Sequence, residues 1–139
     1  MIRQDNDPRF GDDRMSTPPY NTVTWFQVGS DKPEQIKKFY GELFGWSFNP
    51  YPSDDSYELI HYPGSDAPSG GVAHTPDSTA NHATFVVMVQ DVAATVAAAE
   101  ALGAKVLTAP VSSPDGLVSA DLLDTSGQHF GVFSPAPAA

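Results

Sequence analysis

The chain has 139 residues, 40% of them hydrophobic, with 17 acidic against 7 basic side chains and a formal net charge of −10. This length suits one domain whose core is large enough to fold without metals or disulfides, and the charge disfavours nucleic acid and membrane surfaces as partners. The absence of cysteine excludes disulfides, thiolate nucleophiles and cysteine-type zinc sites.

The two ends of the chain differ in composition from its middle. Residues 1–21 mix proline with Asp and Arg and carry no apolar period, so we expect a disordered N-terminal tail. Residues 135–139 alternate proline and alanine, which predicts a short C-terminal tail. Neither a signal-peptide core nor an apolar run of about 18 residues is present, so we expect a cytoplasmic protein.

The first predicted module, residues 22–76, begins with a strand and a helix. Residues 22–28 are rich in β-branched and aromatic side chains, which indicates a strand. Asp31 followed by Glu34 is typical of a capping box, and Gly45 of a helix stop. The apolar stripe of the helix between them consists of Ile36, Phe39, Tyr40, Leu43 and Phe44. Its aromatic members are expected in the core.

Three more strands complete this module, predicted over residues 46–51, 57–62 and 71–74. The second module, residues 82–134, repeats the order. It has a strand from Ala83, a cap at Asp91, an alanine-rich helix closed by Gly103, and strands over residues 105–109, 117–123 and 129–133. Equivalent residues of the two halves lie about 60 positions apart, which indicates a fold built from two equivalent units.

These motifs resemble the vicinal oxygen chelate superfamily, which includes glyoxalases, bleomycin-resistance proteins and dioxygenases. The resemblance spans residues 22–134 and rests on VGSD at 28–31, FYGELFGW at 39–46, QDV at 90–92, EALGAKV at 100–106 and DTSGQHFGVF at 124–133. It implies an α+β domain of two tandem βαβββ modules, whose curled mixed sheets form a pseudo-twofold cleft for small molecules. It also implies a homodimer, since a second copy can cover exposed sheet edges.

Metal-dependent relatives place one His, Gln or Glu on the first and last strand of each module. Carried over by the motifs, these four positions hold Trp25, Gly71, Thr84 and Gly131. None of these is a usual metal ligand. The resemblance therefore implies a member of the superfamily that holds no metal and needs no other cofactor.

A shifted metal site is the alternative. A slip of two residues keeps the same strand face and brings in Gln27, His82 and His129. Glu58 is the nearest acidic candidate, although a surface residue paired across the sheet is the simpler interpretation. On this alternative the protein would be a divalent-metal-dependent lyase, isomerase or dioxygenase with displaced ligands.

The side chains on the predicted inward face describe a pocket. They are Trp25, Gln27, His82, Thr84, Val86, Met88, His129 and Phe133. Aromatic and soft apolar surface with a few neutral polar groups suits an apolar or aromatic small molecule, although Trp and Phe could instead fill the cleft as core.

Roles can be assigned to this inward face on that interpretation. Ligand contact is expected from Trp25, Gln27, Thr84, Met88 and Phe133. The candidate catalytic residues are His129 and His82, because an imidazole can take a proton next to a carbonyl. The protein would then either sequester its ligand or act on it by metal-independent acid/base chemistry. A non-catalytic accessory protein of a biosynthetic pathway is a further possibility.

Overall fold

A computed structural model describes residues 19–136. Most of both expected tails, residues 1–18 and 137–139, lies outside the described residues. The first module consists of β1 (Thr22–Ser30), α1 (Pro33–Phe44), β2 (Ser47–Tyr51), β3 (Asp54–His61) and β4 (Gly70–His74). The second consists of β5 (His82–Met88), α2 (Val92–Ala101), β6 (Lys105–Ser112), β7 (Val118–Leu123) and β8 (His129–Ser134). The prediction of two βαβββ modules is confirmed.

All eight strands form one mixed sheet in the order β2-β3-β4-β1-β5-β8-β7-β6. The first strands of the two modules, β1 and β5, pair antiparallel at its centre. Each first strand also pairs in parallel with the last strand of its own module. The strand order is therefore the same when read outwards from either side of the centre, as a pseudo-twofold arrangement requires. Both helices pack on one face of the curled sheet, where they cover Phe26 and Val132. The cleft lies on the other face, to which the neighbouring residues Trp25, Gln27 and Phe133 point.

The second helix follows its sequence signals. The Asp91 carboxylate accepts a hydrogen bond from Ala94 N at 2.9 Å, as an N-cap should, and Gly103 has a φ of 107° just after the helix. Val92 and Val96 of α2 are buried in one cluster with Val89, which follows β5, and with the sheet residues Ala120, Leu122 and Val132. None of the helices within residues 19–136 is long and apolar enough to cross a membrane.

The first helix departs from its predicted cap. Lys32 occupies the N-cap position and caps nothing with its side chain. The Asp31 side chain instead accepts a hydrogen bond from Asn81 Nδ2 at 3.0 Å, while Asp31 N donates to Asn81 Oδ1 at 2.9 Å. The capping-box prediction is wrong because Asp31 ties the start of α1 to the segment before β5. The stop at Gly45 is confirmed, with a φ of 76°.

The prediction that the helix aromatics lie in the core is also wrong in part. Phe39 and Phe44 are 59% and 51% exposed. The space between α1 and the sheet is filled by Trp46, whose ring lies 5.3 Å from Tyr40 and 5.7 Å from Phe26. Because Trp46 and Tyr40 occupy this layer, Phe39 and Phe44 are left at its rim.

Candidate functional site

The concave side of the sheet encloses a cleft of about 350 Å³. Strands of both modules contribute to its wall. The lining residues are Trp25, Gln27, Tyr51, Asp54, Tyr57, Leu59, Pro68, Val86, Val111, Ser113, Leu117, Ser119 and Phe133. Aromatic and aliphatic side chains dominate this set, as is usual for sites that bind small organic molecules.

Strand alternation explains which side chains of β1 face the cleft. Trp25 and Gln27 line it, whereas Phe26 between them packs against Trp46 on the helix side. A register irregularity in the β1–β5 pairing lies between Val23 and Trp25. It falls before the cleft residues, so the alternation from Trp25 onwards is regular.

The structure divides the predicted site residues into two groups. Trp25, Gln27 and Phe133 line the cleft, together with Val86. Thr84 and Met88 share a strand face with Val86 but are not among the lining residues. The Thr84 hydroxyl donates to the backbone carbonyl of His129, so it fixes β8 against β5.

The two candidate catalytic residues, His82 and His129, do not line the cleft. They lie together, with ring centroids 4.1 Å apart. His82 Nδ1 lies 3.0 Å from the Ala80 carbonyl oxygen. Because a carbonyl only accepts, Nδ1 carries the proton, and Nε2 accepts from the Gln27 amide at 3.0 Å. Both ring nitrogens of His82 are thus engaged, and Gln27 connects it to the cleft wall.

Asp121 on β7 is a site residue that the sequence pattern did not reveal. Its Oδ1 lies 3.0 Å from His129 Nε2, and the His129 and Asp121 side chains are 18% and 31% exposed. The carboxylate accepts from Nε2, which leaves Nδ1 as the nitrogen of His129 with a free lone pair. The sequence pattern pointed to the first and last strand of each module and, beyond these, only to Glu58 on β3. Asp121 lies on none of these strands.

Glu58, the acidic candidate for a shifted metal site, lies on the opposite face. Its carboxylate accepts from Lys37 Nζ on α1, so it points towards the helix rather than into the cleft. The partner of Glu58 is therefore a helix lysine rather than a residue paired across the sheet.

Trp25 and Tyr57 form an indole–phenol pair on the cleft wall. Trp25 Nε1 donates to Tyr57 Oη at 2.9 Å. An ideal Cβ on residue 71 would lie 2.0 Å from that oxygen, so the Tyr57 hydroxyl fills the space of the side chain that Gly71 lacks. Burial, together with the nearby Asp121 charge, raises the pKa of Tyr57 to about 12. The phenol is therefore neutral at physiological pH.

A hydrogen bond closes one end of the cleft. Tyr51 on the edge strand β2 donates from its hydroxyl to Asp115 Oδ2 at 2.7 Å, in the turn between β6 and β7. The Asp115 carboxylate also accepts from the Ser113 hydroxyl, and the two bonds hold its pKa below the ordinary value. This contact joins the outer strands of the two modules across the cleft.

The comparisons with known proteins agree with this architecture. A family model described as a glyoxalase-like domain matches residues 25–133. The chain belongs to this family. The putative glyoxylase CFP32 of Mycobacterium bovis is 30% identical over 119 residues, which cover 84% of this chain and 45% of that protein. The glyoxalase-like chain thus spans about half the length of the curated relatives it matches.

Solved structures show the same fold. The Mn(II)-bound glyoxalase of Novosphingobium aromaticivorans matches 85% of this chain and 40% of its own, with a TM-score of 0.58 at 19% identity. The methylmalonyl-CoA epimerase of Mycobacterium tuberculosis matches 88% of this chain and 93% of its own, with a TM-score of 0.58 at 15% identity. The match to the glyoxalase-like family model, together with this shared fold, supports membership of the vicinal oxygen chelate superfamily, as the motifs indicate.

The side chains at the four carried-over ligand positions do not fit a metal ion. Trp25 offers only an N–H donor, which is bound to Tyr57. Gly71 and Gly131 have no side chain, and the Thr84 hydroxyl is bound to a backbone carbonyl. Within residues 19–136, no three His, Cys, Asp or Glu side chains are grouped so as to hold a metal ion.

Proposed function

We propose that this glyoxalase-like domain binds a small apolar or aromatic organic molecule in its cleft without using a metal. The observation that carries the proposal is the composition of the cleft wall, in which Trp25, Tyr57 and Phe133 face a cavity of about 350 Å³. Flat aromatic walls favour stacking and edge contacts with an aromatic ligand. The side chains at the ligand positions support binding by contact rather than by coordination.

The His129–Asp121 pair supports an acid/base role beside the bound molecule. Asp121 holds the Nε2 side of the ring at 3.0 Å, which leaves Nδ1 to take a proton from a ligand. His82 is less suited to this role, because its Nε2 accepts from Gln27. In this proposal His129 is the base and His82 packs against it. Sequestration of the ligand without any reaction is the simpler form of the same function.

A substitution that fills the cleft tests whether small molecules bind there. Ser119 lines the cleft, so Ser119→Trp should fill it and weaken the binding of acetylnaphthalene, measured by calorimetry, more than tenfold. Phe85 is 49% exposed and does not line the cleft, so Phe85→Trp is the matched control. Equal binding by both variants, or no saturable binding by the parent protein, would contradict the proposal.

Elemental analysis tests the metal-dependent alternative. About one tightly held Zn, Ni, Fe or Mn per chain, lost on changing His82 or His129, would establish a shifted site and overturn the metal-free proposal.

We also propose that two copies of the chain pair through the exposed apolar side chains of α1. Phe39, Leu43 and Phe44 are 59%, 58% and 51% exposed, and so large an apolar surface is typical of an interface. A second copy is the expected occupant because the same apolar residues on another chain can meet this face across a twofold axis. Sedimentation should give a dimer that Phe39→Glu converts to a monomer, whereas Leu102→Glu, at a residue 79% exposed on the other module, should leave it intact. A monomeric parent protein would overturn this proposal.

A further inference from the structure

The indole–phenol pair leaves one hydrogen-bond donor unused. An indole Nε1 can only donate, so the 2.9 Å contact between Trp25 and Tyr57 requires the phenol oxygen to accept. The hydroxyl hydrogen of Tyr57 must therefore point elsewhere. Within residues 19–136, no side chain or backbone carbonyl receives it in a hydrogen bond.

The position of this donor is fixed on three sides. Trp25 holds the oxygen, and Gly71 gives it room that any Cβ would remove. The ring of Tyr51 contacts that of Tyr57 edge-on, with centroids 6.3 Å apart and planes at 84°. A donor held in this way loses little freedom when it binds an acceptor, which is how a site discriminates between ligands.

We propose that the Tyr57 hydroxyl donates a hydrogen bond to the carbonyl oxygen of a neutral aromatic ligand in the cleft, so that aryl ketones, quinones and related carbonyl compounds are the preferred class. This inference rests on the proposed function and adds to it the polar group that the ligand must carry. The donor lies among aromatic walls, so the carbonyl is expected to be attached to, or part of, a ring system.

The surrounding charge favours a neutral acceptor over an anion. Burial raises the pKa of Tyr57, and the Asp121 carboxylate is close enough to the phenol to add to that rise. The same charge would repel a carboxylate or phenolate placed at the hydroxyl, and the chain as a whole carries a net charge of −10. Naphthoate should accordingly bind more weakly than the corresponding ketone.

The test compares two probes of matched shape, acetylnaphthalene and isopropylnaphthalene, of which only the first has a carbonyl. Tyr57→Phe keeps the ring and removes the hydroxyl, so it should lower the affinity for the ketone about fivefold relative to the hydrocarbon. In Tyr57→Phe the indole N–H of Trp25 loses its acceptor and could itself donate a hydrogen bond to the ligand carbonyl. The double variant Trp25→Phe/Tyr57→Phe removes this second donor as well. Tyr51→Phe is the control, because the Tyr51 hydroxyl is bound to Asp115 and its loss should shift both affinities together.

The infrared stretch of the bound ketone gives a second readout that packing alone would not move. The carbonyl stretching band of the bound ketone should lie at lower frequency in the parent protein than in the double variant Trp25→Phe/Tyr57→Phe. Equal losses for both probes in Tyr57→Phe, with an unshifted carbonyl band, would overturn the inference and leave the proposed function standing. Failure of both probes to bind the parent protein would overturn the proposed function and the inference with it.

Discussion

Gly71 leaves the space that the Tyr57 hydroxyl occupies. A Cβ at this position would lie 2.0 Å from Tyr57 Oη and 2.2 Å from its ring carbon Cζ, closer than real atoms approach. Gly71→Ala should therefore displace Tyr57, break its bond with Trp25 and weaken ligand binding at least as much as Tyr57→Phe.

Gly131 offers the matched control, since it occupies the corresponding position of the second module. A Cβ there would meet Val86 at 3.4 Å and Asp121 at 3.5 Å, which are ordinary contacts. Gly131→Ala should keep both the stability and the Trp25 emission of the parent protein. Similar effects of the two substitutions, measured by urea unfolding and fluorescence, would show that Tyr57 is not held as described.

Tyr57 also makes stability depend on pH at the alkaline end. The folded state keeps the phenol proton up to about pH 12, whereas an unfolded tyrosine releases it near 10.0. The free energy of unfolding should therefore fall as the pH rises through this window, by about 1 to 2 kcal/mol. Tyr57→Phe should show a shallower decline in urea unfolding between about pH 9 and pH 11, and an equal slope would contradict the raised pKa.

At this scale, alternation along a strand could be read from the sequence and long-range contacts could not. The inward positions of Trp25, Gln27 and Phe133 follow from a period of two. The bond between Trp25 and Tyr57 joins residues 32 positions apart, so it depends on how β3 lies against β4 and β1. The Asp121–His129 pair similarly depends on the register of β7 against β8.

The first helix is held to the sheet by an ion pair. Lys37 Nζ lies 2.8 Å from Glu34 Oε2 and also contacts Glu58 on β3, with the Lys37 and Glu58 side chains 16% and 20% exposed. Lys37→Met should lower the free energy of unfolding by about 1 to 2 kcal/mol, because Glu58 keeps its charge without a partner or full solvation.

Lys38 provides the control on the same helix. It pairs with Glu42, but these side chains are 73% and 68% exposed, so Lys38→Met should change the free energy of unfolding by less than about 0.5 kcal/mol. Equal losses in urea unfolding from the two substitutions would mean that the Glu58 contact does not anchor the helix.

The two helix starts show which local signals are sufficient. Asp91 caps α2 as the sequence indicates, because no other side chain of residues 19–136 binds its carboxylate. Asp31 has the same signal but is bound to Asn81, which lies 50 positions away. A cap can therefore be predicted from local sequence only where no tertiary partner takes the side chain.

At the scale of the whole molecule, the repeat of about 60 residues predicted the module order that the sheet has. Repetition constrains topology because equivalent sequences fold into equivalent units. It did not predict the contact between Tyr51 and Asp115, since that bond depends on how far the sheet curls. The contribution of β3, β6 and β7 to the cleft wall depends on the same curvature.

Binding of an aromatic molecule in the cleft without a metal is tested most directly by titrating chelator-treated Trp46→Phe protein with acetylnaphthalene while following Trp25 emission. Trp46 packs between α1 and the sheet, so its replacement leaves Trp25 as the reporter on the cleft wall. The expected result is a saturable change with one probe per chain, unaltered by added Mn²⁺ or Zn²⁺. An emission that does not respond, or responds only after a divalent metal is added, would contradict metal-free binding in this cleft.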